Sequence, residues 1–147
     1  MTASFIAPKL FQGSFPKSAA ELRQNGIHTL ILCAAELQPP DSEFSGIEVL
    51  RCPFHDEDTV VSRELAARVL ETARKAAARV RARRRVLITC SAGLNRSGFV
   101  TALTLTELYG ISGRVAVKWV RTRRDGALFN SEFVAAIRRV PATRLGS

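Results

Sequence analysis

The stretch Val86-Leu-Ile-Thr-Cys-Ser-Ala-Gly-Leu-Asn-Arg-Ser97 decides the fold. Its first four residues are apolar or β-branched and read as a buried strand, Val86 to Thr89. Cys90 ends the strand. Five residues follow, with Gly93 among them, and then Arg96 and Ser97. An apolar run of helical character starts at once and lasts from Phe99 to Tyr109. The order is strand, tight loop, helix N-terminus. Successive N–H groups of such a loop form an anion-binding concavity, and the helix start adds free N–H groups and its dipole. Arg96 offers a planar fork for two oxygens of one phosphate. Cys90 then stands beneath the phosphorus as a thiolate nucleophile.

Outward from this stretch, strands and helices alternate. Leu10-Phe-Gln-Gly-Ser14 reads as a short strand and turn. Ser18-Ala-Ala-Glu21 is a capping box, and Gly26 is a helix stop. Ile27 to Cys33 is a buried strand, Gln38 to Ser42 a loop, and Ile47 to Arg51 another strand, ended by Pro53. Ser62 caps a long helix to about Arg81, with Leu65, Val69, Leu70, Ala73, Ala76, Ala77 and Val80 at helical spacing. Ser112 starts a helix to about Arg123, and Asn130 caps a last one that Pro141 closes. This alternation predicts an α/β layer fold, a central, mostly parallel sheet flanked by helices, with the ligand site at the C-terminal edge of the sheet.

The chain has 147 residues, 46% of them apolar, which suits one compact domain over residues 1–147. No apolar stretch approaches the length of a membrane span, and the opening residues do not read as a signal peptide, so the expected location is the cytoplasm, away from membranes. The three cysteines, Cys33, Cys52 and Cys90, have no metal-type spacing, and no metal or other cofactor is expected. Cys33 and Cys52 read as ordinary buried strand thiols. The net charge of +9 comes mostly from arginine. It reads first as a solvated basic surface and second as a field for anionic substrates. The cluster Arg79, Arg81, Arg83, Arg84 and Arg85 precedes the strand that ends at Cys90, so it lies at the opposite end from the loop.

Cys90, Arg96 and Ser97 form a C-x5-R-[ST] motif that resembles the signature of the cysteine-dependent phosphatases, and the chain resembles their dual-specificity branch. The resemblance implies phosphomonoester hydrolysis through a phosphocysteine, without metal, with Ser91, Ala92, Gly93, Leu94, Asn95 and Arg96 around the phosphate. Ser97 resembles the family hydroxyl that assists the thiolate as leaving group. Cys52-Pro-Phe-His-Asp56 resembles the family's Pro-x-x-Asp segment, which selects Asp56 as general acid; Asp58, 32 residues before Cys90, is the rival. Val120 to Arg124, Asn130 and Phe133 resemble a C-terminal Arg…Asn…Phe pattern, which implies Arg124 at the substrate and Asn130 behind the loop. Thr89 stands where the family usually has His.

The expected substrate is a phosphorylated protein or peptide, through phosphotyrosine and also phosphoserine or phosphothreonine. The alternative is an RNA 5′-phosphatase or triphosphatase, since Gly93-Leu-Asn-Arg-Ser-Gly-Phe99 resembles the loop of those enzymes, although they usually carry His where Ala92 stands. A catalytically weak, phosphate-binding relative is the third reading, supported by Thr89 alone. The loop does not resemble that of phosphoinositide phosphatases, which often carry Lys where Ala92 and Leu94 stand, and this argues against inositol phospholipids.

Overall fold

The computed structural model describes residues 1–143. The elements in chain order are β1 (Ala3–Ala7), β2 (Leu10–Gly13), α1 (Ala19–Gln24), β3 (Thr29–Ala34), β4 (Glu48–Phe54), α2 (Arg63–Arg81), β5 (Val86–Thr89), α3 (Arg96–Tyr109), α4 (Gly113–Arg123) and α5 (Ser131–Arg138). One sheet runs β1-β2-β5-β3-β4. β1 and β2 pair antiparallel, whereas β2–β5, β5–β3 and β3–β4 are parallel. β5 is the middle strand, so Cys90 emerges at the C-terminal edge of the sheet's centre.

β3 and β5 are buried along their whole length because both sheet faces are covered. Their side chains sort by alternation. Leu30, Leu32 and Leu87 face Leu22, Ile27 and Phe44 on one side. Ile31, Cys33, Val86 and Ile88 join the larger core with Val69, Ala73, Phe99, Val117 and Phe133. α2 turns the small residues Ala73, Ala76 and Ala77 inward. The side chains of Ser18, Ser62, Ser112 and Asn130 each cap a helix by accepting from backbone N–H groups.

Three elements differ from the sequence expectation. Residues 3–7, read only for a leader, form β1. The expected loop at Gln38 to Ser42 runs into a 3-10 turn, Asp41–Phe44. Pro53 does not end its strand, because β4 continues to Phe54. β4 is the edge strand, where a missing N–H breaks no second ladder. The register also slips there: Leu32 pairs with Arg51 and Ala34 with Phe54, so the extra β4 residue forms a bulge at Cys52-Pro53.

The Arg79–Arg85 run is remote from Cys90, at the start of β5. Arg79 makes a two-pronged ion pair with Glu48 at 2.9 and 3.1 Å. Arg85 lies over the Phe11 ring at 5.2 Å and donates to the Asn25 carbonyl. Among the described residues, no helix is long and apolar enough to cross a membrane.

Candidate active site

Every carbonyl from Ser91 to Asn95 is held from outside the loop that joins β5 to α3. Phe15 N–H donates to Ser91 O at 3.1 Å, and Leu128 N–H to Leu94 O at 3.1 Å. Arg124 Nη2 donates to Ala92 O at 3.2 Å. Gly93 O accepts from Gln12 Nε2 at 3.0 Å and from Arg124 Nε at 2.6 Å. Asn95 O accepts from Phe99 N–H at 2.8 Å within the first turn of α3. In a trans peptide the C=O and the following N–H point in opposite directions, and no peptide bond here is cis. Carbonyls pinned outward therefore turn the succeeding N–H groups toward the loop's interior, which makes a concavity of the anion-binding type.

Gly93 makes this turn with φ +74, a conformation that costs a residue with a Cβ. A Cβ there would also stand 2.3 Å from Gly13 C and 2.4 Å from Gly13 O. β2 therefore packs against the loop at backbone contact distance.

Arg96 is only 7% exposed. Its Nη1 and Nη2 donate to the two oxygens of Glu36 at 2.5 and 2.8 Å, and Nη1 donates again to Phe54 O at 3.2 Å. The Nη1/Nη2 edge of the guanidinium is thus filled. The adjacent edge, Nε–H with the remaining N–H of Nη2, is the one left, and Nε is buried with no partner among the described residues. A buried, unsatisfied donor of a charged group is costly, and an oxyanion is the ligand that satisfies it bidentately. The Arg96 guanidinium holds the Glu36 carboxyl well below the usual carboxylate range, at about 2. Cys90 Sγ is buried and lies 3.3 Å from Ser97 Oγ.

Asp56 lies on the segment after β4. Its Oδ2 accepts from Asn95 Nδ2 at 2.9 Å and its Oδ1 from Asn130 Nδ2 at 2.7 Å. The Asn130 N–H donates to Asn95 Oδ1 at 2.9 Å, closing a ring of Asp56, Asn95 and Asn130 that ties the acidic segment to the loop and to the start of α5. Asp58 is absent from this ring. It lines a neighbouring pocket with Asp56, Phe129, Asn130 and Ser131. Glu36, His55, Asp56, Glu57 and Arg96 line the opening next to it.

Arg124 corrects its expected place at the substrate. It is 8% exposed and its guanidinium lies behind the loop, where Nη1 and Nη2 also donate to Ser4 Oγ at 3.0 Å and Thr2 Oγ1 at 3.1 Å. All three nitrogens are thus committed to carbonyls and hydroxyls on the inner side, and burial pushes the guanidinium pKa down from its ordinary value.

Two neighbours of the loop, Glu36 and Gln12, escaped the sequence reading because they carry no motif. Thr89 fills the usual His position by donating its hydroxyl to the Ile31 carbonyl at 3.0 Å, fully buried, so it braces β5 against β3. Cys33 and Cys52 are buried, and burial pushes both thiols up. Among the described residues, no group of His, Cys, Asp or Glu is arranged to hold a metal ion.

A family model described as dual specificity phosphatase, catalytic domain, matches residues 10–141. The active form of Tk-PTP is similar at 31% identity and a TM-score of 0.79, over 93% of this chain and 94% of that one. Human DUSP28 is similar at 26% identity and a TM-score of 0.76, over 93% and 90%. No curated protein matches.

Proposed function

The chain belongs to the dual specificity phosphatase catalytic-domain family, and from that premise we propose that it hydrolyses phosphotyrosine, and also phosphoserine or phosphothreonine, in proteins or peptides through a phosphocysteine on Cys90. The observation that carries this reading is the free edge of Arg96 beside a loop whose carbonyls are all turned outward. The phosphate dianion occupies the loop, bonded by the inward N–H groups of residues 92–96 and by Arg96 Nε and Nη2. Cys90 Sγ attacks phosphorus as a thiolate, forming the S–P bond as the ester P–O bond breaks. The charge that builds on the equatorial oxygens meets donors already in place, which is where electrostatic preorganisation is worth most.

Asp56 gives its proton to the leaving oxygen. In the second step the same carboxylate takes a proton from water as the water oxygen attacks phosphorus and the S–P bond breaks. Ser97 Oγ, 3.3 Å from the sulfur, donates to the departing thiolate. We favour Asp56 over Asp58 because Asp56 is the carboxylate tied to the loop by Asn95 and Asn130. Glu36 fixes the plane of Arg96, and Gln12, Arg124 and Asn130 hold the loop from behind.

The RNA reading draws on Asn95, which matches the triphosphatase-like loop. In this fold the Asn95 side-chain amide is committed to Asp56 and to the Asn130 N–H, so its presence is accounted for without RNA. The test is hydrolysis of p-nitrophenyl phosphate by the purified protein in a chelator. Turnover is expected in the wild type and should be lost in Cys90→Ser, which should still bind a phosphotyrosine peptide. Turnover by Cys90→Ser would overturn the phosphocysteine route.

A further inference from the structure

We propose that the pocket lined by Asp56, Asp58, Phe129, Asn130 and Ser131 is a subsite for an arginine side chain flanking the phosphorylated residue, so that the substrates are basic phosphopeptides. The inference rests on the phosphatase reading and names the substrate class for it. Although the chain carries a net charge of +9, the mouth of the site is acidic. Glu36, Asp56 and Glu57 stand around the opening over Arg96, and Asp58 lies just beyond. The ion pairs among the described residues involve neither Glu57 nor Asp58. Both are exposed carboxylates without a protein cation.

Two further features point to a ligand. Arg96, more than nine-tenths buried, lines the adjoining opening, and its Nε has no partner among the described residues. Asp56 lines both pockets and is bonded to Asn95 of the loop, so the second pocket begins one side chain away from the loop. In that second pocket Phe129 is 70% exposed, and large exposed aromatics are scarce on this surface. A carboxylate beside an open aromatic face suits a guanidinium, which pairs with the first and stacks on the second. The same carboxylates repel the additional phosphates of a 5′-triphosphate or an RNA strand.

The test compares kcat/KM for phosphotyrosine peptides that carry Arg, Ala or Glu on both sides of the phosphotyrosine and are otherwise identical. An exposed ion pair and a cation–π contact together predict a preference for the Arg peptide over the Ala peptide of about five- to tenfold, fading in high salt. Asp58→Asn and Phe129→Ala should each bring that ratio toward one, and Asp58→Lys should reverse the order of the Arg and Glu peptides. A ratio within twofold in the wild type, a ratio unmoved by all three variants, or faster turnover of 5′-triphosphate RNA than of the Arg peptide would overturn the inference. p-Nitrophenyl phosphate, which has no flanking residues, separates the two readings: its turnover without an Arg preference sinks the subsite alone. If it is not turned over, the Kd values of the same peptides for Cys90→Ser still report the ratio.

Discussion

Arg124 Nε and the Gly93 carbonyl oxygen lie 2.6 Å apart, on the side of the loop that faces the protein interior. This contact makes Arg124 part of the scaffold of the loop proposed to hold the phosphate. Arg124→Met keeps the apolar stem and removes the donors, leaving Ala92 O without its partner and Gly93 O with Gln12 alone. The expected cost is about 2 kcal/mol of stability, the scale of a buried polar group losing its bonds, measured by urea unfolding. kcat/KM should fall by one common factor on all phosphoester substrates. A loss confined to substrates with a second phosphate would return Arg124 to the substrate side.

Glu36→Gln tests the partner of Arg96. The Glu36 carboxyl titrates at about 2 in the folded chain, below the ordinary value of about 4.3. A depressed folded value means stabilisation that is present above the unfolded value and lost as pH falls through the folded one. The stability gap between wild type and Glu36→Gln should therefore be widest near neutrality, shrink below about pH 4 and close near pH 2. Activity of Glu36→Gln should drop about tenfold, since a charge-assisted pair becomes a neutral one. A gap that stays constant from pH 7 to pH 3 would show that the carboxylate does not stabilise Arg96.

Asp56→Ala and Asp58→Ala separate the two acids by their dependence on the leaving group. A general acid contributes about 10²–10⁴ in rate, most where the leaving oxygen is strongly basic. Asp56→Ala should lose far more on phenyl phosphate than on p-nitrophenyl phosphate, whereas Asp58→Ala should leave both nearly unchanged. The reverse pattern would move the acid to Asp58. Asn130→Ala should shift the leaving-group dependence in the same direction as Asp56→Ala, because its amide holds Asp56 Oδ1.

Thr89→His would restore the residue usual at that position, yet it should weaken the protein. Thr89 is fully buried between β5 and β3, with its hydroxyl on the Ile31 carbonyl. An imidazole there overpacks the core at about 1–3 kcal/mol. Thermal unfolding should show a lower Tm, and turnover should not rise. A gain in kcat from Thr89→His would show that the loop lacks an organising group at this position.

Gly93→Ala meets two penalties at once, the left-handed φ of +74 and the Gly13 backbone 2.3 Å from the new Cβ. A loss of at least about 2 kcal/mol is expected, with binding of orthovanadate abolished as the loop shifts to accommodate the methyl group. Unchanged stability and vanadate affinity would mean that the close approach of β2 does not shape the loop.

What the sequence revealed depended on how local the signal was. β3, β5, α2 and α4 are legible because apolar spacing and Ser caps lie within each element. Cys90 and Arg96 are legible as a candidate pair because the loop brings them together within adjacent residues. Glu36, Gln12 and the true place of Arg124 were not, since their contacts join residues 60, 81 and 31 positions apart and no periodicity records them. Pro53 misled because its meaning depends on whether a strand is central or at an edge, which one strand's own residues do not say.

The donors that turn the loop outward come from both ends of the chain. Gln12 and Phe15 lie ahead of it and Arg124 and Leu128 behind it, while Thr2 and Ser4 anchor Arg124 in turn. The loop therefore depends on long-range contacts as well as on a short motif. A nascent chain that has just released α3 already contains Cys90 and Arg96, but its loop peptides lack the Arg124 and Leu128 donors that orient them. Phosphate affinity should arise only once the segment through Asn130 has docked, coupling the birth of the site to the closing of these long-range contacts. Unfinished chains would then carry the proposed nucleophile without a loop shaped to hold a phosphate.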